Sequence, residues 1–114
     1  MELSKIIKEK SLTLSEVKAL LEEQEKNREL SSLENLTLDY ARKLAKIQNA
    51  EKSRELVKEL VEKFDIPEEF AVQIVNIMPK EPGELRLILS PLNMIFSEEQ
   101  LREILNLLER YTEE

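Results

Sequence analysis

The stretch Asp65-Ile66-Pro67-Glu68-Glu69-Phe70-Ala71-Val72-Gln73-Ile74-Val75-Asn76-Ile77-Met78-Pro79-Lys80-Glu81-Pro82-Gly83-Glu84-Leu85-Arg86-Leu87-Ile88-Leu89 spells two short apolar helices broken by a proline elbow. Pro67 suits a first helical turn, where its missing N–H costs nothing and its φ is already set. Glu68 and Glu69 then lie at the positive end of the helix dipole. Phe70, Ala71, Ile74, Val75 and Met78 form one wide apolar face. Pro79 biases Met78 away from helical dihedrals and stops the run. Pro82 restarts it, with Leu85, Ile88 and Leu89 turned inward. A face this wide needs cover from the segments on either side.

Those segments are also helical. The chain has 114 residues and a single glycine, too few turn glycines for a sheet protein. Apolar residues make up 41% and charged residues 36%, and the apolar ones are periodic, so the chain folds rather than staying disordered. Thr13-Leu14-Ser15-Glu16 is a capping box, with Leu12 and Val17 as its hydrophobic staple. The helix it opens runs to about Lys26 with Leu14, Val17, Leu20 and Leu21 on one stripe. Ser31 to Glu34 is a second box. It opens a helix carrying Leu33, Leu36, Tyr40, Ala41, Leu44 and Ile47, expected to end near Gln48 or Asn49. Asn49 caps a third helix with Leu56, Val57, Leu60, Val61 and Phe64 inside. Ser97-Glu98-Glu99-Gln100 opens the last, which presents Leu101, Ile104, Leu105, Leu108 and Tyr111.

The expected fold is therefore all-α. Residues 1–30 read as an N-terminal arm and a docking helix, and residues 31–114 as a five-helix bundle. The bundle has enough apolar faces to close by itself, which leaves the first helix with a stripe that something else must cover. Residues 1–12 have two open readings, a frayed terminus or an arm ordered by a partner. The connector Ser90 to Phe96 is apolar enough to fold back over the core or to serve as a contact patch.

Composition excludes much chemistry. With no cysteine, histidine or tryptophan, zinc sites, thiol nucleophiles and histidine acid–base catalysis are ruled out. Adjacent carboxylates such as Glu22/Glu23, Glu68/Glu69 and Glu98/Glu99 point about 100° apart on a helix and do not converge. No calcium-loop spacing and no phosphate-cradling glycine loop is present. The expectation is a non-enzyme with no cofactor and no small-molecule ligand. No apolar run approaches the roughly 20 residues of a membrane span, and the first residues are too charged for a signal peptide, so the chain reads as cytoplasmic.

The net charge is −7, and it is unevenly spread. Residues 65–114 hold four basic and eleven acidic side chains, against seven and six in residues 31–64 and six and seven in residues 1–30. An acidic C-terminal half repels phosphate backbones. Arg42, Lys43 and Lys46 line a helix face that reads as solvated surface or as a weak contact with a polyanion or an acidic partner.

The ordered set of these segments resembles the F-type subunit of archaeal DNA-directed RNA polymerase, the smaller half of the polymerase stalk, over nearly the whole chain. The resemblance is carried by Ser15 to Glu23, Leu38 to Lys46, Ser53 to Leu60 and Phe96 to Leu105. Above all it rests on Ala71 to Leu89, where a Met-Pro-Lys elbow precedes a Glu-Leu-Arg helix. It implies a bundle similar to the HRDC domains of helicases. It also implies an arm and first helix packed on the E-type subunit, the larger partner in the stalk heterodimer. Such a pair assists transcription initiation and open-complex formation without catalysing anything itself, and leaves RNA contact to the larger partner. The implied partner face falls on Leu3, Ile6, Ile7, Leu12, Leu14, Val17, Leu20 and Leu21, with Pro79, Leu85 and Met94 added. Gly83 departs from the family, which more often has a helix former there.

Two other classes of function compete. A free-standing HRDC-like nucleic-acid-binding module would use Arg42, Lys43, Lys46, Lys52 and Arg54. A self-associating helical protein would pair its first helix with a second copy.

Overall fold

The computed structural model describes residues 11–112. Among them are six helices and no strand: α1 (Leu14–Glu25), α2 (Ser32–Leu44), α3 (Ala50–Phe64), α4 (Glu68–Ile77), α5 (Pro82–Leu89) and α6 (Glu98–Thr112). The all-α expectation holds. Leu3, Ile6 and Ile7 lie outside the described residues.

The helix starts are where the capping chemistry puts them. Thr13 Oγ1 accepts the Glu16 N–H at 3.2 Å while the Glu16 carboxylate accepts the Thr13 N–H at 2.9 Å. Ser31 with Glu34 and Ser97 with Gln100 make the same reciprocal pairs. Asn49 Oδ1 accepts the Lys52 N–H. Each such cap supplies partners for N–H groups that no helical carbonyl can reach, worth about 1 kcal/mol. The α4–α5 elbow also forms as read. Met78 leaves the helix in the left-handed region at φ 51°, still donating its N–H to the Ile74 carbonyl, and Pro79 follows.

One helix end differs. α2 stops at Leu44 rather than at Gln48 or Asn49, because Ala45 turns extended at ψ 119°. The Gln48 side chain then donates to the Ala45 carbonyl, and the break lets Ile47 swing into the main core.

The apolar side chains form two clusters. The larger lies within α3–α6: Leu56 and Leu60 from α3, Ile74 from α4, Leu85 from α5, and Leu101 and Ile104 from α6 are all sealed. Ile47 and Ile66 plug it from the connectors. The smaller cluster joins α1 to α2 through Val17, Leu21, Leu30, Leu38 and Ala41. A six-residue connection between the two helices favours this antiparallel pairing. The pair is clasped outside by Arg28 with Glu34 at 2.8 Å and Arg42 with Glu22 at 3.0 Å.

This corrects two expectations. α2 does not help to close a five-helix bundle with α3–α6. It packs on α1, and the boundary expected after residue 30 falls inside their hairpin. Nor does the first helix carry an uncovered stripe: Val17 and Leu21 are 5% and 1% exposed, and Leu14 and Leu20 are partly buried beside them. The physical reason is Leu38 and Ala41, which lie on the α2 face opposite to Leu36 and Tyr40 and offer α1 the cover it needs.

Candidate docking face

Because Leu38 and Ala41 turn toward α1, the other apolar side of α2 turns away from the molecule. Leu33, Leu36, Tyr40 and Leu44 follow one another at helical spacing, and they are 71%, 67%, 59% and 40% exposed. Eleven residues of rise make a strip about 16 Å long. α1 is the only helix with substantial packing on α2, so nothing among the described residues covers this side. The strip continues onto the bundle. A recess of about 480 Å³ is lined by Tyr40 and Leu44 together with Leu14, Asn76 and the half-exposed Ile77. Beyond Ile77 a larger cleft of about 710 Å³ opens between the Met78-Pro79-Lys80 elbow and the end of α6.

Single exposed leucines are ordinary on protein surfaces, but a contiguous strip of them marks a contact. Burying what these four side chains still expose brings a gross gain of roughly 4–7 kcal/mol. Association itself costs roughly 4–15 kcal/mol. The strip by itself therefore supports only weak binding, and a stable complex has to use the recess and cleft beside it as well.

The seat of the strip is fixed by a polar joint between the hairpin and the bundle. Thr13, Ser15 and Ser53 are buried together, with the Thr13 and Ser53 hydroxyls 2.7 Å apart and Ser15 donating to Ser53 at 2.8 Å. Ser53 also bonds the Ala50 carbonyl, and Asn76 Oδ1 accepts the Leu14 N–H at 2.9 Å. Arg54 closes the rim by donating to Glu16 at 2.6 and 2.9 Å, to Glu68 at 3.0 Å and to the Ser11 carbonyl. Burial pushes the Glu16 carboxyl up, but the Arg54 guanidinium and the Thr13 N–H outweigh it and hold the group below the usual carboxylate range. The sequence reasoning missed this joint. The signal was there: Ser53 falls in line with Leu56, Val57 and Leu60 on the inner face of α3.

The residues expected to meet a partner are scattered by the fold. Val17 and Leu21 are consumed inside the hairpin, and Leu12, Leu14 and Leu20 are partly consumed. Leu85 is 0% exposed, in the centre of the main core, and offers no surface. Pro79 is buried at the elbow, yet lines the larger cleft. Met94 is exposed on the α5–α6 connector, next to Ile95 at 97% exposure, while Leu92 and Phe96 of the same connector fold back on the core. Of the five cations of the nucleic-acid reading, Arg42 pairs with Glu22 and Arg54 with Glu16 and Glu68, which removes two of them from any phosphate surface. Among the described residues no acidic cluster is placed to hold a metal ion, and no helix is long and apolar enough to cross a membrane.

Sequence comparison decides what this geometry belongs to. Residues 11–112, which hold all six helices and the docking face, match the RNA polymerase Rpb4 family. The chain belongs to that family. It is 33% identical over 100 residues to the DNA-directed RNA polymerase subunit Rpo4 of Methanocaldococcus jannaschii, covering 88% of this chain and 85% of the relative. It is thus an RNA polymerase subunit of the Rpb4 type, and the expected resemblance is confirmed. Within the family match, the Met78–Pro79 elbow and the α1–α2 hairpin together flank the recess and the cleft beside it.

Proposed function

We propose that the chain is the smaller, non-catalytic half of a polymerase stalk. It pairs with the larger, E-type stalk partner and through it joins the polymerase core, where the pair assists initiation and open-complex formation. The observation that carries this reading is the uncovered strip Leu33, Leu36, Tyr40 and Leu44 on α2. A polymerase subunit works in an assembly, and no other described helix carries as many exposed large apolar side chains. The docking role assigned to the first helix passes to the second: α1 supports the surface and α2 presents it. The α3–α6 bundle is the HRDC-like part in this reading, and its acidic balance agrees with leaving nucleic acid to the partner. Work in the cytoplasm follows from the same assignment.

Co-expression with the larger stalk partner tests it. The two chains are expected to co-purify at equal stoichiometry, and Leu36→Glu with Tyr40→Glu to abolish the complex while the free chain keeps its helix content. Co-purification unaffected by both changes would remove α2 as the docking helix. A stable homodimer that ignores the larger partner would favour self-association instead.

A further inference from the structure

We infer that the docking face takes an apolar segment of the larger stalk partner flanked by carboxylates, seated against Lys43, Lys46 and Lys80. This rests on the stalk reading above and adds the chemistry of the occupant. The chain as a whole is acidic, at −7, yet lysines without a carboxylate partner among the described residues stand where the open apolar strip meets the bundle. Lys43 lies in the last turn of α2, next to Leu44 in the chain and on the same side of the helix as Leu36 two turns earlier. Lys46 lines both the 480 Å³ recess and the 710 Å³ cleft, so it stands where the two join. Lys80 lines the cleft from the elbow. All three are exposed and make no ion pair among the described residues.

The arginines nearest this hairpin behave differently. Arg28, Arg42 and Arg54 each hold a carboxylate of the chain itself. Lys43, Lys46 and Lys80 stand at or just past the negative ends of α2 and α4, a bias of only about 0.3–1 kcal/mol each, and none of them is held by a carboxylate among the described residues. Acidic groups also border the cleft, at Glu84 and Glu109. Glu84 is occupied by the Lys80 and Glu81 N–H groups, from which it accepts at 3.3 and 3.2 Å. Cations left unpaired around an apolar seat speed the encounter with an acidic segment and fix its register.

The test is a titration of the purified larger stalk partner with the full chain over a range of salt concentrations. Lys46→Glu combined with Lys80→Glu is expected to weaken binding tenfold or more at low salt and to flatten its salt dependence, with the neutral pair Lys46→Gln and Lys80→Gln in between. An unchanged affinity, or a loss that is equal at every salt concentration, overturns the inference. Leu36→Glu in the same titration separates the two layers. If it abolishes binding while the lysine changes do nothing, the docking face stands and its acidic occupant falls. If it binds like the parent chain, the face itself is wrong and the inference falls with it.

Discussion

The hydroxyls of Thr13 and Ser53, forty positions apart in the chain, meet at 2.7 Å in a site closed to solvent. The α1–α2 hairpin is thus tied to the α3–α6 bundle by hydrogen bonds at a place where leucines would have served for bulk stability. Every buried side-chain donor and acceptor among the described residues has a partner, so the joint is fully satisfied. Ser53→Ala removes the hydroxyl that Thr13 and Ser15 both use and leaves them their 3.3 Å contact with each other and, for Thr13, the Glu16 N–H. Two buried hydrogen bonds lost at about 0.5–1.5 kcal/mol each make a loss of about 1–3 kcal/mol the expected result in urea unfolding, with helix content unchanged. Hydrogen exchange should rise in α1 more than in α6.

Acid should loosen the same half of the molecule. The Arg28 guanidinium, helped by the Ser31 N–H, holds the Glu34 carboxyl at about 2, and Glu16 is lowered by Arg54 and Thr13 against the upward push of burial. Both folded-state values lie below the ordinary glutamate value of about 4.3. Their contributions are therefore complete above that value and are lost as pH falls through the lowered ones. Stability should decline between pH about 4.3 and about 2. Glu34→Gln keeps a capping side chain but cannot titrate, so its unfolding midpoint should fall less steeply over the same window.

Two leucines separate folding from docking. Leu60 is fully buried in the main core, and Leu60→Ala should cost about 2–5 kcal/mol. Leu60→Glu should prevent folding altogether by burying an unpaired charge. Leu36→Ala, at an exposed site, should stay within about 0.5 kcal/mol of the parent in stability. On the docking proposed above, its effect falls on the affinity for the larger stalk partner. Thermal melts and the binding titration, run on both alanine variants, should therefore rank them in opposite orders.

Glycine stands where the backbone does not need it, and other residues stand where glycine would relax it. Gly83 has no positive φ, and a Cβ built there meets nothing within 4 Å. Gly83→Ala should stabilise by about 0.4–1 kcal/mol, chiefly by restricting the unfolded chain. Asp65 ends α3 in the left-handed region at φ 55°, exposed and at the position where helices favour glycine. Asp65→Gly should gain roughly 0.5–1 kcal/mol on the same scale. Midpoints from chemical unfolding will check both.

Local chemistry was easy to read in this sequence, and pairing was hard. Thr13, Ser31, Asn49 and Ser97 announced four helix starts because a cap needs only residues a few positions away. The elbow at Met78-Pro79 was legible for the same reason. What the periodicity of α2 did not reveal is that it carries two apolar sides. Leu38 and Ala41 lie on one, and Leu33, Leu36, Tyr40 and Leu44 on the other. Leu33, Leu36, Tyr40, Ala41 and Leu44 read as one core face that omits Leu38. The choice between them depended on whether α1 or α3 would be the neighbour, and no spacing within a helix encodes that. The uncovered surface was therefore expected one helix too early. The break at Ala45, which sends Ile47 into the main core, was hidden too, because the residues from Ala45 to Gln48 are all acceptable in a helix.

α2 rests on a single neighbouring helix, and this has a consequence for how much of the protein a cell can keep. On the docking proposed above, a copy made in excess of its polymerase carries an undressed flank, and a helix with one packed neighbour is expected to open to a protease before the α3–α6 bundle does. Limited trypsin digestion of the lone chain should nick it between Lys26 and Lys46 before anywhere else in residues 50–110, and the nick should disappear once the larger stalk partner is added. Equal cutting with and without the partner would dismiss the idea. Where it holds, supernumerary copies mark themselves for removal, and the ratio of stalk to core is kept by the shape of one helix.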